Sequence, residues 1–107
     1  MTGFKNGSVK ISDDLIDQLI AETALTVEGV IYVIGYKNNK IEKNRKDGIV
    51  SVVDNNNNIK IALSVIVDDG IDLYDTANLV QKTIKEQIHT MLGFNVQEVN
   101  VFVKSTK

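Results

Sequence analysis

Three groups of side chains in this 107-residue chain could do chemistry, and the first is its single histidine, His89. General base or triad chemistry needs a partner that accepts or delivers a proton, and a metal needs several donors at once. No serine partner or second histidine accompanies His89, and the chain has no cysteine. His89 falls near the end of an amphipathic segment, where a positive group meets the negative end of a helix dipole, so its expected role is structural. The second group is Asp68, Asp69, Asp72 and Asp75 around Gly70. Calcium requires oxygens at a regular loop spacing, which DDGIDLYD does not provide. A capping role for Asp72 and a first-turn position for Asp75 account for both without an ion. No catalytic residue, metal site or cofactor is therefore expected.

The third group is the loop from Lys37 to Gly48. Lys37, Lys40, Lys43, Arg45 and Lys46 stand there against Glu42 and Asp47, a local charge of +3 in a chain of net charge −2. A basic loop of this kind attracts phosphates or anionic headgroups. It contains no aromatic residue to stack a base. The scattered glycines form neither a phosphate-cradling loop nor the GxxG of a KH module. Exposed lysine is also what keeps a long loop soluble.

The elements that would position these groups can be read from periodicity. Ser8–Ile11 is a short strand candidate, and Ser12 a helix cap. Leu15, Ile16, Leu19, Ile20 and Ala24 recur at helical spacing, which predicts a helix over 13–27 with Gly29 as its stop. Residues 30–36 are β-branched and aromatic, hence a strand, and 37–48 lose all periodicity. Strands at 49–53 and 59–67 are joined by Asp54 and four asparagines, which tolerate turn conformations. Ile59, Ile61, Leu63, Val65 and Val67 share one face of the second strand. A long helix follows from Asp72, with Leu73, Ala77, Val80, Ile84, Ile88 and Met91 as its core stripe and Gly93 at its end. A strand at 96–103 closes the chain, with Val99, Val101 and Val103 inward. The order β-α-β-β-β-α-β implies one α+β domain over 1–107. It is a two-layer sandwich with two helices packed on one face of a mixed sheet. On the opposite face Ile66, Phe102 and Ala62 would be exposed, and a contiguous apolar patch there marks an interface.

Composition sets bounds on what such a domain does. Hydrophobic residues at 43% and charged residues at 24% fit an ordinary globular protein, and the mild negative charge argues against a nucleic-acid glove. The first ten residues lack the apolar core of a signal peptide, and no run approaches the ~18 apolar residues that span a bilayer. The expected location is cytoplasmic.

The pattern resembles the alkaline shock protein family, small bacterial general-stress proteins. The resemblance is carried by Val9, Ile11 and Ser12, by Ala24 and Glu28-Gly29-Val30, and by Gly48-Ile49 after the basic residues. Its most specific part is Gly70, Gln81 and Lys85, Met91-Leu92-Gly93-Phe94, and Val99-Asn100-Val101. The chain departs from the pattern at Asp68-Asp69, where relatives carry an aromatic before the glycine. The resemblance implies a non-enzymatic α+β protein of mostly Gram-positive bacteria. It also implies a link to cell-envelope stress or membrane-lipid homeostasis, and structural roles for Gly29, Gly70, Gln81, Gly93 and Asn100. Some members are held at the membrane by a separate transmembrane partner.

Together these readings give a scaffold that acts through protein–protein contacts, with a membrane-anchored protein or a second copy of itself as partner. The candidate surfaces are the outward sheet face (Ile66, Phe102) and the basic loop. Two rivals stand beside it: nucleic-acid binding through residues 37–46, and regulation of a lipid-metabolism enzyme.

Overall fold

The alternating segment around residue 60 becomes the strand on which the whole fold is built. The computed structural model describes residues 4–5, 8–9, 13–42 and 47–106. In chain order its elements are β1 (Phe4–Lys5), β2 (Ser8–Val9), α1 (Asp13–Leu25), β3 (Val30–Val33), β4 (Tyr36–Lys37) and β5 (Lys40–Ile41). They continue with β6 (Val50–Val53), β7 (Asn58–Val67), α2 (Leu73–Leu92) and β8 (Asn95–Thr106). On one side, β7 pairs with β8 in parallel along its whole length. Its other edge takes β6 against residues 59–62 and β3 against 65–67, both antiparallel. The parallel β7–β8 pair requires a crossover, and α2 is that crossover.

Ile59, Ile61, Leu63, Val65 and Val67 are all buried on the helix-facing side of β7. Against them α1 brings Ile16, Ile20, Ala21 and Ala24, and α2 brings Thr76, Val80, Ile84 and Ile88. The result is the expected α+β arrangement, two helices on one face of a mixed sheet. The stripes differ in detail. Leu15, Leu73 and Met91 are exposed, while Ala21 and Thr76 are buried. The buried stripe reaches the terminal turns, at Ile16 and Ala24 of α1 and Thr76 of α2, and Leu15, Leu73 and Met91 lie off it. Thr76 is tolerated inside because its hydroxyl donates to the Asp72 carbonyl at 2.8 Å. Val101 and Val103 point inward but are only half-buried, since β8 is the outermost strand.

Local chemistry explains the other departures. α1 stops at Leu25, short of residue 27, where the Thr26 hydroxyl donates to the Thr23 carbonyl at 2.6 Å and competes with the helix pattern. Gly29 lies beyond, with φ 96, at the entry to β3. Residues 8–9 pair with 4–5 and not with the main sheet. Ile11 and the Ser12 cap lie outside the described residues. The strand expected through Tyr36 ends at Val33, and the segment read as aperiodic holds a second hairpin, β4–β5. Its turn residues Asn38 and Asn39 have φ 53 and 62, the left-handed pair of a type I′ turn. Tyr36 is thereby turned inward, and its hydroxyl donates to Glu22 Oε1 at 3.3 Å. At Gly35, a Cβ would lie 2.9 Å from the Gly48 Cα, so two backbones cross there.

In the β6–β7 connection Asn57 takes φ 61, but the organising group is Asp54. Its carboxylate accepts from the Asn58 and Asn56 amides at 3.0 and 2.8 Å and from Asn58 Nδ2 at 3.1 Å. Those bonds, the Asn58 amide first, hold its carboxyl below the usual range. In α2, Asp72 caps the start by accepting from the Asp75 amide, and left-handed Gly93 closes the end by donating to the His89 carbonyl. Gln81 Nε2 donates to the Val99 carbonyl at 3.0 Å and ties this helix to β8.

Three outcomes follow from this packing. Gly35→Ala and Gly70→Ala both force a side chain into positive φ, at about 1–2 kcal/mol. Only Gly35 also meets neighbouring backbone, so urea midpoints are expected to fall further for Gly35→Ala than for Gly70→Ala. Gln81→Ala is expected to cost about 1 kcal/mol and to speed hydrogen exchange along β8 more than along β6. Burial first, and then the Glu22 carboxylate, raise the Tyr36 phenol above its ordinary range. A group whose folded pKa is raised adds stability below its unfolded pKa, here about 10, and loses it as pH climbs through the folded value. Denaturant titrations above that pH are expected to show a decline that Tyr36→Phe flattens.

Candidate interaction face

Strand register sorts every sheet residue to one side or the other. Directly opposite residues share a face, so the pairs Val50–Ala62, Val52–Lys60, Tyr32–Ile66, Asn100–Ala62 and Phe102–Ser64 lie opposite the helices. Val50 is 50% exposed, Val52 60% and Phe102 52%. Ser51 points the other way, and its hydroxyl donates to Asp17 Oδ1 of α1 at 2.6 Å.

Near the middle of this open face Ser64 is buried. The Ile34 amide donates to the Ser64 carbonyl at 2.9 Å, and Ile34 and Ser64 are both buried. Beside them is a shallow concavity of about 270 Å³, lined by Asp47, Gly48, Val50, Ala62, Phe102 and Lys104 among others. The Lys104 ammonium lies 5.9 Å from the centroid of the Phe102 ring, within reach of its π face. The face therefore offers exposed valine and phenylalanine interspersed with the exposed Lys60, Glu98, Asn100 and Lys104.

The two residues expected on this face are both there, on adjacent strands. They differ in availability: Phe102 stands out, while Ile66 is half-buried between Tyr32 and Ser105. Val50 and Val52 were not anticipated. The run Val50-Ser51-Val52-Val53 has no clean alternation, and only its pairing with β7 assigns Val50 and Val52 outward. Asn100 lies exposed on the same face and makes no side-chain hydrogen bond among the described residues.

Of the basic loop, Lys37 and Lys40 are exposed and directly opposite one another in the β4–β5 hairpin. Lys43, Arg45 and Lys46 lie outside the described residues. His89 is exposed, with Nδ1 3.1 Å from the Phe94 carbonyl oxygen. A carbonyl only accepts, so this ring nitrogen carries the proton. The aspartates around Gly70 resolve into the Asp72 cap and the first-turn Asp75, and Gly70 itself sits in the connecting turn with φ 88. Among the described residues no three His, Asp or Glu side chains are grouped to hold a metal ion. No described helix is long and apolar enough to cross a membrane.

Comparison with known structures places the fold. The chain superposes on a variant of the MamM CTD with a TM-score of 0.58 and 14% identity, covering 90% of this chain and 100% of that one. A variant of the same domain described as its copper form gives 0.57 and 14%, with the same coverage. At that identity the likeness is one of fold. Among curated sequences, the uncharacterised protein Spy1614 of Streptococcus pyogenes serotype M6 is 25% identical over 109 residues, covering 96% of this chain and 90% of that protein. Residues 2–107 match a family described by a cell envelope-related function. Nearly the whole chain is covered by that match, and it belongs to the alkaline shock protein 23 family.

Proposed function

We propose that this protein is a non-enzymatic scaffold of the cell envelope that binds a protein partner through the open face of its sheet. The observation that carries the reading is the exposure of Val50 and Phe102 around one shallow concavity, with Val52 further along β6, on the sheet face that neither helix covers. Large apolar side chains gathered on one face of a small domain cost solubility, and a partner that buries them recovers that cost. Family membership supports the envelope as the setting. In this reading the protein works at the cytoplasmic side of the membrane, held there by an anchored partner, and takes part in the response to envelope stress. Lys37 and Lys40 project from the β4–β5 hairpin, and with Lys43, Arg45 and Lys46 they would steer the domain toward anionic headgroups or an acidic partner. The same lysines are what a nucleic-acid reading would use, and regulation of a lipid-metabolism enzyme would use the same open face.

A pull-down from detergent-solubilised native lysate, with and without nuclease, compares the wild type with Phe102→Ala, Val52→Ser and Ile66→Ser. Nuclease-resistant capture of an envelope protein, reduced at least about tenfold by Phe102→Ala as for an interface hot spot, is the expected result. Capture unchanged by all three substitutions removes the sheet face from the function. Capture lost with nuclease instead moves the function to the basic loop.

A further inference from the structure

The outer edge of β8 is the longest unpaired strand edge among the described residues. Its twelve residues pair with β7 on one side only. Natural edge strands are kept short, broken by proline, bent away by β-bulges or blunted by charge, because a row of free amides and carbonyls templates another strand. β8 is long, and the chain contains no proline. It has bulges at Gln97 and Lys104, which bracket a regular run from Glu98 to Val103.

The side chains of that run, together with Lys104 at the bulge that ends it, are complementary to themselves. In an antiparallel pair, opposite residues share a face, so two copies of β8 can meet only in registers that match inward to inward. Centring the two-fold axis on Val101 sets Glu98 of each copy opposite Lys104 of the other. The same register sets Val99 opposite Val103, and Asn100 opposite Phe102. Both charges are then neutralised twice per dimer, and each valine of the helix-facing side meets another valine. Moving the axis to Asn100 sets Glu98 against Phe102 and leaves Lys104 opposite Val96. Of the two registers, the one centred on Val101 alone pairs opposite charges, with Asn100 set against Phe102.

We infer that this protein pairs with a second copy of itself through β8, antiparallel and centred on Val101. The resulting sheet is continuous across both subunits, with all four helices on one side. The two open faces merge into one surface, carrying Val50, Val52 and Phe102 from each copy. The inference concerns the strand edge and stands independently of which partner the sheet face takes.

Sedimentation equilibrium of the full chain tests it. The wild type is expected to show a concentration-dependent dimer. Glu98→Lys and Lys104→Glu each set like charges opposite one another twice, and each is expected to raise the dimer Kd roughly tenfold or more. The double variant Glu98→Lys/Lys104→Glu restores opposite charges and returns the affinity toward wild type. All these side chains are exposed, so the monomer fold tolerates the exchange. Because the chain lacks cysteine, single introduced thiols report the register. Val101→Cys is expected to form a disulfide-linked dimer on mild oxidation, since directly opposite Cα atoms lie within disulfide range, whereas Asn100→Cys is not. A chain that stays monomeric up to about 1 mM overturns the inference. So does a dimer indifferent to both single reversals, or one that Asn100→Cys crosslinks better than Val101→Cys.

Discussion

Everything in this fold depends on β7 being paired on both edges and buried on one face at once. A strand satisfies its amides and carbonyls only through neighbours, and burying it unpaired costs several times what each hydrogen bond contributes. Here β8 pairs it along one side while β6 and β3 divide the other. Its five inward residues can then be sealed from water by two helices at once. Loss of either flank would expose backbone that the core otherwise keeps dry. The close ties elsewhere serve the same end: Gln81 holds β8 against α2, and Ser51 holds β6 against α1.

One consequence of this arrangement is an asymmetric molecule. The helices occupy one face of a sheet that is only three strands wide at any level, and on the opposite face, among the described residues, Ser64 is buried while Val50, Val52 and Phe102 are exposed. Open antiparallel faces are ordinarily polar. This one carries two valines and a phenylalanine among Lys60, Glu98 and Lys104, and β8, paired in parallel on one side only, forms its edge. Face and edge are the places where the domain has interaction capacity left over. Two of the groups that looked chemical in the chain take part in holding it: His89 bonds the Phe94 carbonyl, and Asp72 caps a helix end.

How far residues could be assigned in advance followed from how local their causes are. The cap at Asp72, the stop at Gly93 and the inward set of β7 are decided within a few residues of themselves, and they stand where periodicity put them. Leu15, Leu73 and Met91 match the helical period yet lie exposed, while Ile16 and Thr76 in the same first turns are buried, because which side of a helix meets the sheet is decided by the tertiary packing. The β4–β5 hairpin was hidden by lysines and asparagines with no alternation. Its signal was the Asn38-Asn39 pair alone, which reads equally as loop.

From the chain alone came the two helices, the four strands of the main sheet, the fold class, the lack of cysteine and the family, since composition, periodicity and short motifs are properties of neighbours in sequence. Which strands lie side by side was a matter for the folded molecule. Ile66 and Phe102 were each assignable to an outward face, but only the parallel pairing of β7 with β8 set them on the same one. Val50 and Val52 joined them through register with Lys60 and Ala62, and β8 became an edge because nothing further along the described chain pairs with it. Contacts between strands more than thirty residues apart are chosen by how all the apolar faces can be buried together, and no local pattern carries that information.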